Sequence, residues 1–134
     1  MPIVGFNFNK IIAEKNNKII GKVDIKNNLS IKSIEQEKIA LEKSEEILKF
    51  NFEYVISYEP SIGKIAINGN VLYMAESKKI KEILNEWKKE KKLSKELAPK
   101  ILNTILAKCN IKALTLSQEV SLPPHLKMPF VKSN

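Results

Sequence analysis

From Leu48 to Tyr58 every second residue is large and apolar: Leu48, Phe50, Phe52, Tyr54, Ile56 and Tyr58 alternate with Lys49, Asn51, Glu53, Val55 and Ser57. A period of two sends successive side chains to opposite faces, so this stretch must be a strand with one buried face. Pro60 and Gly63 then supply a turn, the proline by fixing φ and the glycine by tolerating positive φ. Alternation resumes up to Met74, with Ile65, Ile67, Val71 and Tyr73 on one side and Lys64, Asn68 and Asn70 on the other. Two long strands with a short connection predict an antiparallel hairpin, and the rest of the chain has its apolar face to cover.

Upstream, Val4, Phe6 and Phe8 alternate before the apolar positions slip to Ile11 and Ala13, which predicts a β-bulge near Asn9 or Lys10. Asn16-Asn17 and Asn27-Asn28 signal turns. They divide a strand through Ile19, Val23 and Ile25 from another beginning at Leu29 and Ile31. The stretch Ile34–Glu45 fits a strand or a short helix; strand is favoured, with a turn at Ser44–Glu46 leading into the hairpin.

Beyond Met74 the period changes. Ser77 suits a helix cap, and Ile80, Ile83, Leu84 and Trp87 recur at helical spacing before the solvated run Lys88–Lys92. Ser94 and Pro99 suit the start of a second helix, which Asn110 is expected to end. Its Leu97, Ile101, Leu102, Ile105, Leu106 and Cys109 occupy an arc of about 180°, against the ~100° that one buried face requires. That excess predicts a second contact, with another subunit as its natural source, so these six residues are candidate oligomer-interface positions. Ala113, Leu114, Leu116 and Val120 allow one more short helix or an extended arm. Leu122-Pro123-Pro124 opens an extended tail whose Leu126, Met128, Phe130 and Val131 are apolar enough to dock.

The predicted fold class is therefore α+β: an antiparallel sheet of four or five strands, then a long broken helix packed on one face. A single domain over residues 1–134 is expected, with the sheet in 1–75, helices in 77–120 and the proline-marked tail in 121–134. No run approaches the ~20 apolar residues of a membrane span, and the first ten residues lack a signal-peptide pattern. One cysteine cannot form an internal disulfide, so a cytoplasmic location is expected.

The net charge of +8 comes entirely from lysine, for there is no arginine. Positive charge favours anionic partners, and Lys78, Lys79, Lys88, Lys89, Lys91 and Lys92 are the candidate contacts of an RNA- or ribosome-binding alternative. Without arginine, however, the chain lacks the fork that grips phosphate and guanine. A biased composition or a high working temperature explains the lysines as well.

Catalytic chemistry has little to stand on. His125 is the only histidine and lies in the proline-bounded tail, while Cys109 falls in register with the apolar helix stripe. There is no phosphate-binding glycine loop and no HExxH or CxxC motif, and the carboxylates alternate with lysines as a solvated surface does. A non-enzymatic protein without metal or cofactor is expected.

In element order the chain resembles the SecB-like chaperone family. The likeness runs from FNFNKIIAEK at Phe6–Lys15, through the hairpin, to LAPKILNTILAKCN at Leu97–Asn110 and LPPHLKMP at Leu122–Pro129. The resemblance implies a four-stranded sheet with helices on one face, assembly into dimers or tetramers, and ATP-independent holding of unfolded polypeptides in apolar grooves. On that reading Phe6, Phe8, Trp87, Met128 and Phe130 are candidate client-binding residues. The chain departs from the family in charge: acidic members offer carboxylates to the secretion motor SecA, whereas here the outer sheet face would show Lys49, Asn51, Glu53, Ser57, Lys64, Asn68 and Asn70. General holding, or service to a toxin–antitoxin-like system, fits that charge better than export.

Overall fold

A computed structural model describes residues 3–37 and 45–127. Strands β1 (Ile3–Lys15), β2 (Asp24–Glu37), β3 (Glu45–Glu59) and β4 (Gly63–Glu76) precede helices α1 (Ser77–Glu90) and α2 (Leu97–Glu119). The strands form one antiparallel sheet in the order β1-β4-β3-β2, so the hairpin β3–β4 holds the centre and β1 and β2 are its edges. On its buried face Leu48, Phe50, Phe52, Tyr54, Ile56, Tyr58, Ile65, Ile67, Val71 and Tyr73 are all at most 2% exposed.

The turn works differently from the sequence expectation. The Glu59–Pro60 peptide is cis, and the residue with positive φ is Ser61 (48°), not Gly63. Gly63 is needed for close approach: a Cβ there would run into the carbonyl oxygen of Glu14 on β1. Gly69 has the same role further along β4, where a Cβ would meet the Asn7 carbonyl and the Phe52 ring.

The bulge in β1 lies where the slip in alternation put it, between Phe8 and Lys10. A second irregularity, between Ile3 and Gly5, leaves Val4 exposed and packs Ile3 on the core instead. Asn27 and Asn28 make no turn; they pair with Ile56 and Val55 inside one continuous β2. Pairing with a long central strand overrides the weak strand preference of asparagine. Four strands therefore result, and Ile19 and Ile20 fall in the β1–β2 loop with Ile20 exposed. Glu45 and Glu46 belong to β3, not to a turn, while residues 38–44 lie outside the described residues.

Ser77 is the first residue of α1 rather than its cap, a place taken by Glu76. That helix runs on through Glu90 and closes at Lys91 in the left-handed conformation, whose N–H donates to the Trp87 carbonyl at 2.8 Å. Glu96 takes the N-cap position of α2, and Ser94 just before it supports the helix start, its hydroxyl accepting from the Leu97 N–H at 3.2 Å. Asn110 does not end α2, a helix of 23 residues that continues to Glu119 and absorbs Ala113, Leu114 and Leu116. The Asn110 side chain turns to the sheet, where its Oδ1 accepts from the Tyr54 hydroxyl at 2.9 Å and from His125 Nε2 at 2.8 Å.

The described part of the tail docks through Leu122 and Pro123, whereas Leu126, also expected to dock, is exposed. Leu122 is buried and the Pro123 carbonyl accepts from the Tyr58 hydroxyl at 2.7 Å. His125 is thereby held near the Tyr54 ring with its Nδ1 buried and unpartnered, and burial lowers its pKa below the usual 6.5.

Two outcomes are expected. Gly69→Ala should displace Phe52 or β1 and lower the unfolding free energy by about 1–3 kcal/mol in urea titration; an unchanged midpoint would show that the sheet is loose there. Because the folded state disfavours protonated His125, stability should be fully present above pH 6.5 and fall as pH drops through the lowered pKa. No other histidine contributes, so His125→Gln should flatten the slope of midpoint against pH just below pH 6.5.

Candidate functional site

Two rows of side chains cross the helix-bearing face of the sheet from edge to edge. One is Phe8–Gly69–Phe52–Ile31 and the next is Ile11–Ile67–Tyr54–Leu29. The central members are fully buried, but the edge members are only partly covered or, in Ile11, 41% exposed. At each end of these rows an open cleft lies between sheet and helix.

The β1 cleft, about 430 Å³, is lined by Phe8 and by Ala107, Lys108, Ile111, Lys112 and Thr115 of α2. Phe6 and Phe8 meet edge to face at 5.1 Å, and Phe6 lies 5.5 Å from Phe52, so the aromatic floor is continuous with the core. Lys108 Nζ stands 5.6 Å from the Phe6 ring and Lys112 Nζ 5.7 Å from the Phe8 ring. Ile111 is 70% exposed at the rim.

The β2 cleft, about 420 Å³, is bounded by Leu29 and Ile31 of β2, by Trp87, Lys91, Lys92 and Leu93, and by Ala98 and Leu102 of α2. Lys91 Nζ lies 5.7 Å from the Trp87 ring. The two clefts thus share a composition of aromatic and aliphatic walls with a pair of lysines, and neither lining includes a carboxylate.

The structure separates the residues that the sequence grouped. Phe6 and Phe8 serve one edge and Trp87 the other; Met128 and Phe130 lie outside the described residues. Of the six interface candidates, Leu97, Ile101, Ile105 and Cys109 are at most 4% exposed within the single chain, packed against its own sheet. They offer nothing to a second subunit. Leu102 and Leu106 are half-buried, and Leu102 forms a wall of the β2 cleft. The wide apolar arc of α2 is thus filled by core and cleft together. Of the nucleic-acid candidates, Lys91 and Lys92 belong to the β2 cleft, while Lys78, Lys79, Lys88 and Lys89 are exposed on α1 amid Glu82, Glu86 and Glu90.

Sequence reasoning missed Leu29, Ile31, Lys108, Ile111 and Lys112 as lining residues. Ile111 carried a signal: it is a large aliphatic side chain standing off the stripe that ends in Cys109. Nothing in either cleft converges as a catalytic constellation. Burial raises the Cys109 thiol to about 12, so it stays protonated and inert, and burial likewise raises Tyr54 and Tyr58. Among the described residues no cluster of histidine, cysteine or carboxylate could hold a metal ion, and no helix is long and apolar enough to cross a membrane.

No protein-family model matches the chain, and no curated protein matches it in sequence. Among solved structures it is similar to the SecB-like chaperone Rv1957 of Mycobacterium tuberculosis, solved in complex with a ChAD peptide from the Rv1956 HigA1 antitoxin. The TM-score is 0.57 over 99% of this chain and 91% of that chain, at 10% sequence identity. At that identity the likeness is one of fold, and the α+β architecture of a four-stranded antiparallel sheet carrying two helices is SecB-like.

Proposed function

We propose that this protein is an ATP-independent holdase that binds non-native polypeptide segments in the β1 and β2 clefts. The observation that carries the reading is the pair of open apolar clefts, each continuous with the hydrophobic core and wide enough for side chains of an extended segment. Exposed apolar surface rimmed by polar groups marks a place where a partner binds. A fold neighbour solved with a peptide supports polypeptide as the kind of partner. The clefts have no converging acids, bases or nucleophiles, which favours binding over catalysis.

The RNA- or ribosome-binding alternative has less support. Its lysines on α1 are interleaved with Glu82, Glu86 and Glu90, which dilutes the positive field that phosphates need. The subunit-interface argument from α2 no longer contributes, since most of that flank is internal. Holding by a single chain is enough, because both clefts are formed by one protomer.

The test is suppression of a model protein's aggregation, followed by light scattering without nucleotide at one protomer per client. Wild type should suppress. Ile111→Ser and Trp87→Ala should each weaken client affinity about tenfold, the loss expected for ~1.4 kcal/mol of apolar contact. No suppression by wild type, or undiminished holding when Ile111→Ser and Trp87→Ala are combined in one chain, would dispose of the proposal.

A further inference from the structure

Resting on the polypeptide-binding reading, we infer that both clefts select segments in which apolar side chains are flanked by aspartate or glutamate. The four cleft lysines carry this inference. Lys108 and Lys112 stand one helical turn apart beside the Phe6 and Phe8 rings; at the opposite edge Lys91 stands beside Trp87 and Lys92 lines the same cleft. Ion pairs among the described residues lie elsewhere: Lys32 with Glu53 and Lys49 with Glu37, involving the outer-face residues Glu53, Lys49 and Glu37. Carboxylates therefore neutralise lysines on the back of the sheet, while among the described residues none of the four cleft lysines is in an ion pair, and Lys91, Lys108 and Lys112 have only aromatic rings beside them.

That distribution has a direct consequence for the occupant. An extended segment lying along either cleft sets its apolar side chains against phenyl or indole and brings its neighbouring side chains within reach of two ammonium groups. Aspartate or glutamate at those neighbours forms charge-assisted contacts that neither cleft satisfies internally. A lysine or arginine there meets like charge and is rejected. Two clefts of the same chemistry at the two ends of the same side-chain rows make the preference a property of the whole binding face. Nucleic acid is the poorer occupant of the β1 cleft: Phe6 packs against both Phe8 and Phe52, which reduces the open stacking platform that bases use there.

Fluorescence anisotropy of the full chain with three labelled peptides tests this, each peptide having one leucine-and-phenylalanine core flanked by four glutamates, glutamines or lysines. The expected order of affinity at low salt is glutamate, then glutamine, then lysine. Each exposed charge contact should contribute about a two- to fivefold change, and the gap should narrow as ionic strength rises. Replacing Lys91, Lys92, Lys108 and Lys112 by glutamate should reverse the order of the glutamate and lysine peptides. Equal binding of the glutamate and glutamine peptides, or a preference that survives the four substitutions, overturns the inference but leaves polypeptide binding standing. Failure of all three peptides to bind overturns both. Displacement of the glutamate peptide by an equimolar single-stranded oligonucleotide overturns the inference in favour of nucleic acid.

Discussion

The architecture depends on a mismatch of widths. Strands at roughly 4.8 Å spacing put the two edges of a four-stranded sheet about 14 Å apart, before side chains are counted. A helix with its side chains is only about 10–12 Å across. The helices therefore bury the middle of the sheet completely and leave apolar positions on both edge strands partly uncovered. Ile67 and Tyr54 vanish beneath the helices, whereas Phe8, Ile11, Leu29 and Ile31 on the same rows do not. Both clefts follow from that geometry.

Bare apolar edges invite aggregation, and the lysines manage that hazard. The side chains of Lys108, Lys112 and Lys91 extend to place each ammonium beside an aromatic ring while the charge remains in water. Such a cover is worth only about 0.5–1 kcal/mol at an exposed site, so an incoming segment displaces it readily. Gly69 has a complementary part inside. Its missing side chain lets Phe52 lie over β4 toward Phe6, which extends the core's aromatic packing out to the β1 cleft.

Alternation made the hairpin legible, because a period of two that is buried on one face admits one structure. The β1 bulge was legible for the same reason, as a phase slip. Asn27-Asn28 misled because a local turn preference says nothing about the fifteen-residue partner strand waiting in β3. Asn110 misled in the same way: an apparent helix stop is a polar residue aimed at Tyr54 and His125. The arc of α2 is wider than the core alone uses, but a helical wheel cannot say whether the excess meets another subunit or walls a cleft. The clefts themselves combine residues more than fifty positions apart, such as Ile31 with Trp87, and no local pattern reports such a meeting.

The absence of arginine also gains a meaning from the clefts. An arginine fork fixes the direction and spacing of the carboxylate it grips, so a cleft built on arginine would recognise few sequences. Lysine is a hydrated point charge on a flexible stem and accepts a carboxylate from many directions. Paired with apolar walls that impose no register, lysine yields contacts that discriminate by charge and hydrophobicity while tolerating wide variation in sequence. On the proposed reading, those are the properties required of a surface that holds many different unfolded chains briefly and then releases them.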